Sequence, residues 1–266
     1  MIINHDETLL REIIEFELER IKKHFEIYKE ANLKISNLII FQNNMNEDEM
    51  YEYGKNLINS ILDGNIPDSI SIDFLDTDGS YVFRPLFIEL IGHCVVTKEF
   101  ALNLKNKVIK DSKCLEIMCG TGALSKALQD IGVDIIATDN YSIKYGFKTK
   151  WTEIEELECL EAIRKYGKDV DYIIASWIPY NNNIGYKALK LMNEINPNCK
   201  MISINEEIDM ATATREFYEN SKILFNFIND NKNRYSYNGI GDIESVSYKT
   251  WDGLYDYVSV IQFDGE

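Results

Sequence analysis

The sequence predicts an α/β fold, in which a mostly parallel sheet ends in an antiparallel hairpin and follows a helical N-terminal extension. In the second half, short β-branched runs alternate with helical stretches, which is typical of parallel strands joined by crossover helices. The C-terminal part is rich in strand formers on both sides of an Asp-Gly pair, which favours a hairpin. The first part instead spaces apolar residues by three and four positions, as helices with one buried face do. We therefore expect a mainly helical extension or cap over residues 1–85 and a sheet domain over residues 86–266.

The N-terminal extension is predicted to begin with a long helix over residues 6–30. Its expected buried stripe consists of Leu10, Ile14, Leu18, Ile21, Phe25 and Tyr28. Asp6 is the expected N-cap of this helix. A second helix is predicted near residues 49–62, and a third from 86 to about 97, with Pro85 suited to its first turn. These helices could form a substrate cap, a dimer interface or a packing extension.

The sheet domain is predicted to contain five parallel strands and a terminal hairpin. The expected parallel strands cover residues 113–118, 133–138, 152–157, 170–176 and 200–205, the third being the weakest. Crossover helices are expected over residues 123–131, 158–166 and 186–194. The hairpin is predicted to join strands 243–248 and 257–263 through a turn at 250–254.

The charge of the chain argues against a nucleic-acid partner. The 266 residues include 28 Lys and Arg against 44 Asp and Glu, which gives a formal charge of −16. Such a surface repels phosphate backbones unless a basic patch overrides it locally. Two groups of lysines, over residues 105–113 and 144–150, are interleaved with apolar residues, and we interpret both as solvated faces.

Neither a membrane nor a metal ion is an expected partner. The apolar runs are far shorter than the roughly 18 residues that a membrane span requires. The N-terminus lacks the basic and apolar segments of a secretory signal, which predicts a cytoplasmic protein. The 5 cysteines include no CxxC pair, which fits reduced thiols and gives no metal-ligand spacing.

A glycine-rich turn within residues 115–125 predicts a nucleoside site. Gly120 and Gly122 lie where a strand turns into a helix, so the backbone can pass close to a ligand at the helix N-terminus. Asp139 ends the next strand, about 20 residues past the glycines, where a carboxylate can accept both hydroxyls of an adenosine ribose. The alternative is a tight turn with a surface acid, which the combined pattern makes the weaker interpretation.

Glu116 distinguishes between the candidate nucleosides. A nicotinamide dinucleotide would favour a third glycine where the chain has Ser125, and an acid at position 116 would repel its pyrophosphate. S-adenosylmethionine has no phosphate and carries a cationic amino group and a sulfonium, so the same acid could orient its amino-acid end. The turn therefore predicts S-adenosylmethionine as the cofactor.

The segment Leu-Glu-Ile-Met-Cys-Gly-Thr-Gly resembles the first motif of class I S-adenosylmethionine-dependent methyltransferases, with Met118 at the first glycine position. The similarity runs from about residue 86 to the C-terminus and includes second-motif and fourth-motif segments at 137–140 and 175–180. The chain is most similar to a little-characterised branch with a Ser-Trp-Pro-Pro-Tyr signature, in which Gly-Glu stands where this chain has Asn205-Glu206. The resemblance implies a Rossmann-like fold and cofactor contacts at Glu116, Met118, Cys119, Gly120, Thr121, Gly122, Asp139, Asn140, Glu158, Cys159 and Ser176.

The same resemblance places the acceptor at the end of the fourth strand. Ser176, Trp177 and Tyr180 are the expected catalytic residues there, and Glu206 after the fifth strand is a candidate base. In amino-methylating relatives this segment holds a planar amine, whereas Ile178 here replaces a proline. The leading hypothesis is a methyltransferase for an unidentified small molecule or protein side chain. The alternatives are a binding or regulatory module that has lost transfer, and a nucleic-acid amino-methyltransferase.

Overall fold

The computed structural model of the chain describes residues 2–3, 7–35, 45–76, 78–142, 149–227 and 248–265. The helices are α1 (Glu7–Ile35), α2 (Glu47–Leu62), α3 (Ile72–Leu75), α4 (Arg84–Leu90), α5 (Lys98–Leu104), α6 (Ala123–Asp130), α7 (Cys159–Tyr166), α8 (Ile184–Ile195) and α9 (Arg215–Glu219). The strands are β1 (Ile2–Ile3), β2 (Cys114–Ile117), β3 (Ile135–Asp139), β4 (Thr149–Lys150), β5 (Glu155–Glu156), β6 (Tyr172–Ser176), β7 (Lys200–Asn205), β8 (Ser221–Phe227) and β9 (Tyr257–Phe263). Short 3₁₀ segments at Asp78–Phe83 and Gly167–Asp169 and a π-helical turn at Lys105–Ile109 connect some of them.

A seven-stranded sheet in the order β5-β3-β2-β6-β7-β9-β8 forms the centre of the protein. The first five strands in this order are parallel, and β9 runs antiparallel between β7 and β8. The predicted five parallel strands and the antiparallel pair at the C-terminus are therefore confirmed. β1 and β4 form a separate two-stranded antiparallel sheet.

The two faces of the sheet pack against different helices. On one face, Cys114 of β2 and Ile174 of β6 share a buried cluster with residues of α1, α2, α4, α5 and α6. On the other face, Leu115 and Ile173 pack with residues of α7 and α8. Neighbouring residues of one strand belong to different clusters because successive side chains of a strand point to opposite faces of the sheet. The helices before residue 85 thus share a core with the sheet, and the boundary at residue 85 stays a prediction.

The N-terminal helices bury the stripes that their sequences predict. In α1, the exposed fraction is at most 6% at Leu10, Ile14, Leu18, Ile21 and Phe25. The Tyr28 side chain and the expected cap Asp6 lie outside the described residues. α2 begins with a capping box, in which the Asn46 side chain accepts from the Glu49 amide and the Glu49 carboxylate accepts from the Asn46 amide, both at 3.0 Å.

The predicted helix over residues 86–97 is wrong in its second half. α4 begins at Arg84 with Pro85 in its first turn, and it ends at Leu90. Gly92 then adopts a φ of +137°, which L side chains rarely reach, so the helix cannot continue. Thr97 does not end a helix but caps α5, because its hydroxyl accepts from the Phe100 amide.

The antiparallel pair at the C-terminus is formed by β8 and β9, and β9 also pairs with β7 along its other edge. The sequence predicts residues 243–248 as the first strand of this hairpin. Of that segment, residues 243–247 lie outside the described residues. The predicted turn instead packs on the N-terminal helices, since the fully buried Trp251 ring makes edge contacts with Phe74 and Phe87.

Candidate functional site

The carboxyl ends of β2, β3 and β6 meet at one edge of the sheet, and a cavity of about 230 Å³ lies there. This volume is somewhat below the roughly 300 Å³ at which typical small-molecule sites begin. Six predicted site residues line the cavity, namely Met118, Asp139, Asn140, Glu158, Cys159 and Trp177. The remaining lining residues are Ser142, Pro179, Asn182, Asn183, Ile184 and Lys187.

The turn after β2 is left-handed at three positions. Gly120 and Gly122 have φ angles of +57° and +72°, and Met118 has a φ of +54°. Glycine adopts this conformation freely, whereas an L side chain such as that of Met118 pays roughly 1 to 2 kcal/mol. The turn brings Met118 to the cavity and starts α6 directly after Gly122.

Asp139 connects the end of β3 to the glycine turn. One carboxylate oxygen accepts from the Gly120 amide at 2.8 Å, and the other accepts from the Tyr141 amide at 2.6 Å. Burial raises the pKa of this carboxyl, while both amide hydrogen bonds act in the opposite direction. A carboxylate has about four lone-pair positions, so each oxygen keeps one for a ligand in the cavity.

Glu116 does not line the cavity. Its carboxylate is buried and accepts from both the amide and the hydroxyl of Ser125, in the first turn of α6. Burial raises the pKa of Glu116 to about 7, although the two bonds from Ser125 favour the ionised form. The expected direct contact between this acid and the cofactor is therefore absent from the described cavity wall.

Four further residues predicted to contact the cofactor do not line the described cavity wall, namely Cys119, Gly120, Thr121 and Gly122. Their hydrogen bonds lie within the protein. The Cys119 amide donates to the Thr138 carbonyl at 3.1 Å, and the Gly122 amide donates to the Cys119 carbonyl at 3.0 Å. The buried Thr121 hydroxyl donates to the carbonyl of Ile91. Together with Gly120, which holds Asp139, these residues shape the turn.

Glu158 and Asn140 reach the cavity from neighbouring loops. Glu158 caps α7, where its carboxylate accepts from the Leu160 amide at 2.8 Å. Asn140 follows β3, and its side-chain oxygen accepts from the Ser142 amide at 3.0 Å. Both residues line the cavity, and each side chain is held by a hydrogen bond from a nearby backbone amide.

Trp177 lies between the cavity and a group of buried polar side chains. It has a left-handed φ of +51°, and its ring stacks on His93 with centroids 4.8 Å apart. The Arg84 guanidinium carbon lies 5.2 Å from the centroid of the same ring. The indole N–H donates to Asp256 at 3.1 Å. Trp177 is thus fixed by contacts that the sequence did not indicate.

Asp256 is a buried acid that sequence analysis missed. It is 1% exposed, and besides the Trp177 indole it accepts from the Tyr248 hydroxyl at 3.0 Å. Burial raises the pKa of Asp256 to about 6, and the negative charge of Glu206 acts in the same direction. No motif surrounds it, so the missing signal was a long-range contact.

Tyr180, Ser176 and Glu206 do not line the cavity. Tyr180 is 63% exposed. The Ser176 hydroxyl lies beside the Cys94 thiol, whose pKa burial raises to about 12. The Glu206 carboxylate is buried and accepts from the Ala211 amide at 3.0 Å and from the Tyr255 amide at 3.5 Å. Of the predicted catalytic group, the structure brings Trp177 alone to the described cavity wall.

The described residues meet the requirements neither of a metal site nor of a membrane-spanning helix. There, no group of three or more His, Cys, Asp or Glu could hold a metal ion. All 5 cysteines are free. No helix among the described residues is long and apolar enough to cross a membrane.

Comparison with known proteins gives likenesses of structure alone. No protein-family model matches the chain, and no curated protein matches it in sequence. The structure of a mitomycin 7-O-methyltransferase is similar over 80% of this chain and 68% of the methyltransferase chain, with 10% sequence identity and a TM-score of 0.42. The ribosomal protein L11 methylase of Lactobacillus delbrueckii subsp. bulgaricus is similar over 63% of this chain and 77% of its own chain, with 11% sequence identity and a TM-score of 0.38. Magnesium protoporphyrin IX methyltransferase of Synechocystis is similar over 61% of this chain and 74% of its own chain, with 10% sequence identity and a TM-score of 0.35.

The topology of the chain agrees with the fold that the first-motif resemblance implies. The central β2 is followed outward on one side by β3 and β5, and on the other by β6 and β7. The order then reverses, since the last strand β9 inserts antiparallel between β7 and β8. By this order and direction of strands, the chain has the class I S-adenosylmethionine-dependent methyltransferase fold.

Proposed function

We propose that the chain is an S-adenosylmethionine-dependent methyltransferase whose cofactor binds in the cavity at the ends of β2, β3 and β6. The observation that carries the proposal is Asp139, which the amides of Gly120 and Tyr141 hold at the cavity wall. The remaining acceptor positions of this carboxylate suit the two hydroxyls of a ribose.

The position of Glu116 supports an adenosyl cofactor over a dinucleotide. A dinucleotide pyrophosphate binds to the free amides at a helix N-terminus. In this chain the Ser125 amide, in the first turn of α6, already donates to the buried Glu116 carboxylate at 3.1 Å. A phosphate at that place would lose a donor and meet a carboxylate, whereas S-adenosylmethionine brings no phosphate.

The residues along the cavity divide between the parts of such a cofactor. Asp139 would hold the ribose, and Glu158 with Cys159 would face the adenine from the start of α7. Met118 and Trp177 would flank the methionyl part, and the Trp177 ring also contacts Arg84 and His93. The bound cofactor would supply an activated methyl group, and the chain's task is then to position the acceptor, which can lower a barrier by several kcal/mol.

The acceptor is proposed to be a small molecule or a protein side chain. The formal charge of −16 disfavours a nucleic acid. A planar amine held by Ser176 and stacked on Tyr180 has little support, because neither side chain lines the cavity and Tyr180 is 63% exposed. Glu206 is a poor candidate for a base, because its carboxylate already accepts from two backbone amides.

Calorimetry with S-adenosylmethionine and S-adenosylhomocysteine tests the proposal. We expect one saturable site on the wild-type chain and a loss of about 10-fold to 100-fold in affinity in Asp139→Asn, since one charged hydrogen bond contributes roughly 1.5 to 3 kcal/mol. Asp171→Asn is the matched control, because Asp171 also accepts from a backbone amide, that of Lys113 at 2.9 Å, but lies before β6 at the opposite edge. Absence of binding to the wild type at millimolar ligand would refute the proposal.

A binding module without transfer is the second candidate. It is favoured by Met118, whose side chain occupies the first glycine position and lines the cavity. The two candidates differ in one measurement, the release of S-adenosylhomocysteine during incubation with acceptor mixtures. Saturable binding with no such release across small-molecule and protein acceptors would favour the module.

A further inference from the structure

Arg84 carries donors that the fold leaves without acceptors. Its guanidinium lies over the rings of Tyr81 and Trp177, with distances of 5.4 Å and 5.2 Å from the guanidinium carbon to the ring centroids. Nε and Nη2 are both buried, and neither has a hydrogen-bond partner in the part of the chain that the structure describes. Burying such donors without acceptors is costly, which indicates that a ligand supplies them.

The geometry of these two atoms specifies the kind of ligand. Nε–H and one N–H of Nη2 lie on the same edge of the planar guanidinium and point in the same direction. Two coplanar oxygens of a carboxylate or a phosphate match this edge and accept both hydrogens. A neutral ligand would leave the guanidinium charge unbalanced in a partly desolvated place.

The hydrogen bonds that the acids near Trp177 accept come from groups other than Arg84. Asp256 accepts from the Trp177 indole and the Tyr248 hydroxyl, and Glu206 accepts from two backbone amides. Within the described ranges Arg84 forms no ion pair. Burial and the Arg84 charge lower the pKa of the neighbouring His93 to about 4, so His93 is neutral at pH 7. Among the described residues, the guanidinium therefore brings a positive charge to the Trp177 ring, while His93 beside it is neutral.

We propose that Arg84 binds an oxyanion, through its Nε and Nη2 edge, that belongs to a ligand of the methyl-transfer site. The proposal rests on the proposed function and extends it to the chemistry of a ligand. The oxyanion has two possible sources, the methionyl carboxylate of the cofactor or an anionic group of the acceptor. Trp177 lines the cavity and its ring lies against the guanidinium, which places Arg84 one side chain away from the cavity.

Calorimetry separates the cofactor from the acceptor as the source. S-adenosylhomocysteine and 5′-methylthioadenosine share the adenosine and the thioether, but only the former has the amino-acid carboxylate. Both compounds are titrated into the wild type and into the variants Arg84→Gln and Arg84→Lys. Arg84→Lys keeps the positive charge but loses the edge with two donors, and it replaces Arg84→Gln in the test if that variant does not fold. Arg215→Gln is the control, because Arg215 is an exposed arginine paired with Asp209 and Glu219.

A second arm detects anion binding directly. The chain has 3 tryptophans, so the indole N–H signal of Trp177 can be assigned in a nitrogen-15 NMR spectrum with Trp177→Phe, while Trp151 and Trp251 serve as references. Sodium acetate and inorganic phosphate are titrated at constant ionic strength, with and without S-adenosylhomocysteine. A saturable shift of the Trp177 signal that Arg84→Gln abolishes reports an oxyanion at Arg84.

Each result has one meaning. A loss of about tenfold or more in S-adenosylhomocysteine affinity in Arg84→Gln, with 5′-methylthioadenosine unaffected, identifies the cofactor carboxylate. Unchanged cofactor affinity with an Arg84-dependent shift in acetate or phosphate identifies an anionic acceptor. If neither effect occurs, the proposal is overturned. If the wild type binds neither nucleoside, the proposed function fails, and the anion titration still decides whether Arg84 binds an oxyanion.

Discussion

Replacing Gly122 by alanine should destabilise the chain through two separate effects. Gly122 has a φ of +72°, at which an L residue pays roughly 1 to 2 kcal/mol. A Cβ atom at this position would lie 2.9 Å from Cδ1 of Ile154 and 3.2 Å from Cγ2 of Thr152. Such overpacking adds roughly 1 to 3 kcal/mol. We therefore expect Gly122→Ala to lower the free energy of unfolding by about 2 to 5 kcal/mol.

Gly253→Ala is the control that isolates the backbone effect. Its φ of +75° is nearly the same, but a Cβ atom there would meet nothing within 4 Å. We expect it to lose only the conformational part, roughly 1 to 2 kcal/mol. Ile154→Val removes the Cδ1 atom that the new methyl would meet, so it should recover part of the loss when combined with Gly122→Ala.

These differences in the free energy of unfolding are measured by urea unfolding. The proteins compared are the wild type, both single glycine variants, Ile154→Val and the double variant. The slopes with urea concentration must stay equal for the free energies to be compared. Equal losses in Gly122→Ala and Gly253→Ala, or additive behaviour of Gly122→Ala with Ile154→Val, would refute the argument that the turn touches the segment between β4 and β5.

Three other predictions concern stability. Burial raises the pKa of Glu116 from 4.5 to about 7, so the folded chain binds this proton more tightly than the unfolded chain. Stability should therefore fall by about 3 kcal/mol as the pH rises from 4.5 to 7, and Glu116→Gln should flatten this slope in urea titrations at pH 4.5 and 8. Gly54→Ala, which would favour an ordinary helix, should instead destabilise by about 2 kcal/mol in urea unfolding, because its Cβ would lie 2.5 Å from the buried Phe83 ring. Asn46→Ala removes the bond that the Asn46 side chain accepts from the Glu49 amide and should cost about 1 kcal/mol by the same measurement.

The sheet was predictable because its signals are local. β7 covers the predicted residues 200–205, and β2, β3 and β6 lie within two residues of their predicted bounds. Short buried strands next to glycine turns leave little freedom in where they begin and end. By contrast, the break at Gly92 depends on one positive φ, and an isolated glycine within an apolar run does not reveal its φ.

At the C-terminus and in the site, the arrangement depends on long-range contacts that the sequence does not indicate. Ser221–Phe227 has strand composition, but only the assembled sheet shows that this segment pairs with β9. Tyr180 belongs to the fourth-motif segment by sequence, yet it is 63% exposed. Asp256 contacts Trp177 across 79 positions of sequence, and no spacing rule reaches so far.

Backbone strain also marks the cavity edge, where three of the six described residues other than glycine with a positive φ follow parallel strands. Met118, Tyr141 and Trp177 are left-handed residues other than glycine, with φ angles of +54°, +49° and +51°, and they follow β2, β3 and β6. Each costs of order 1 kcal/mol or more, and such residues persist only where the surrounding structure imposes them. The tight turns bring Met118 and Trp177 to the cavity wall, and the Tyr141 amide holds the carboxylate of Asp139 there. Since the strained residues follow three adjacent parallel strands at their carboxyl ends, the strain points to the same ligand site as the glycine pattern does.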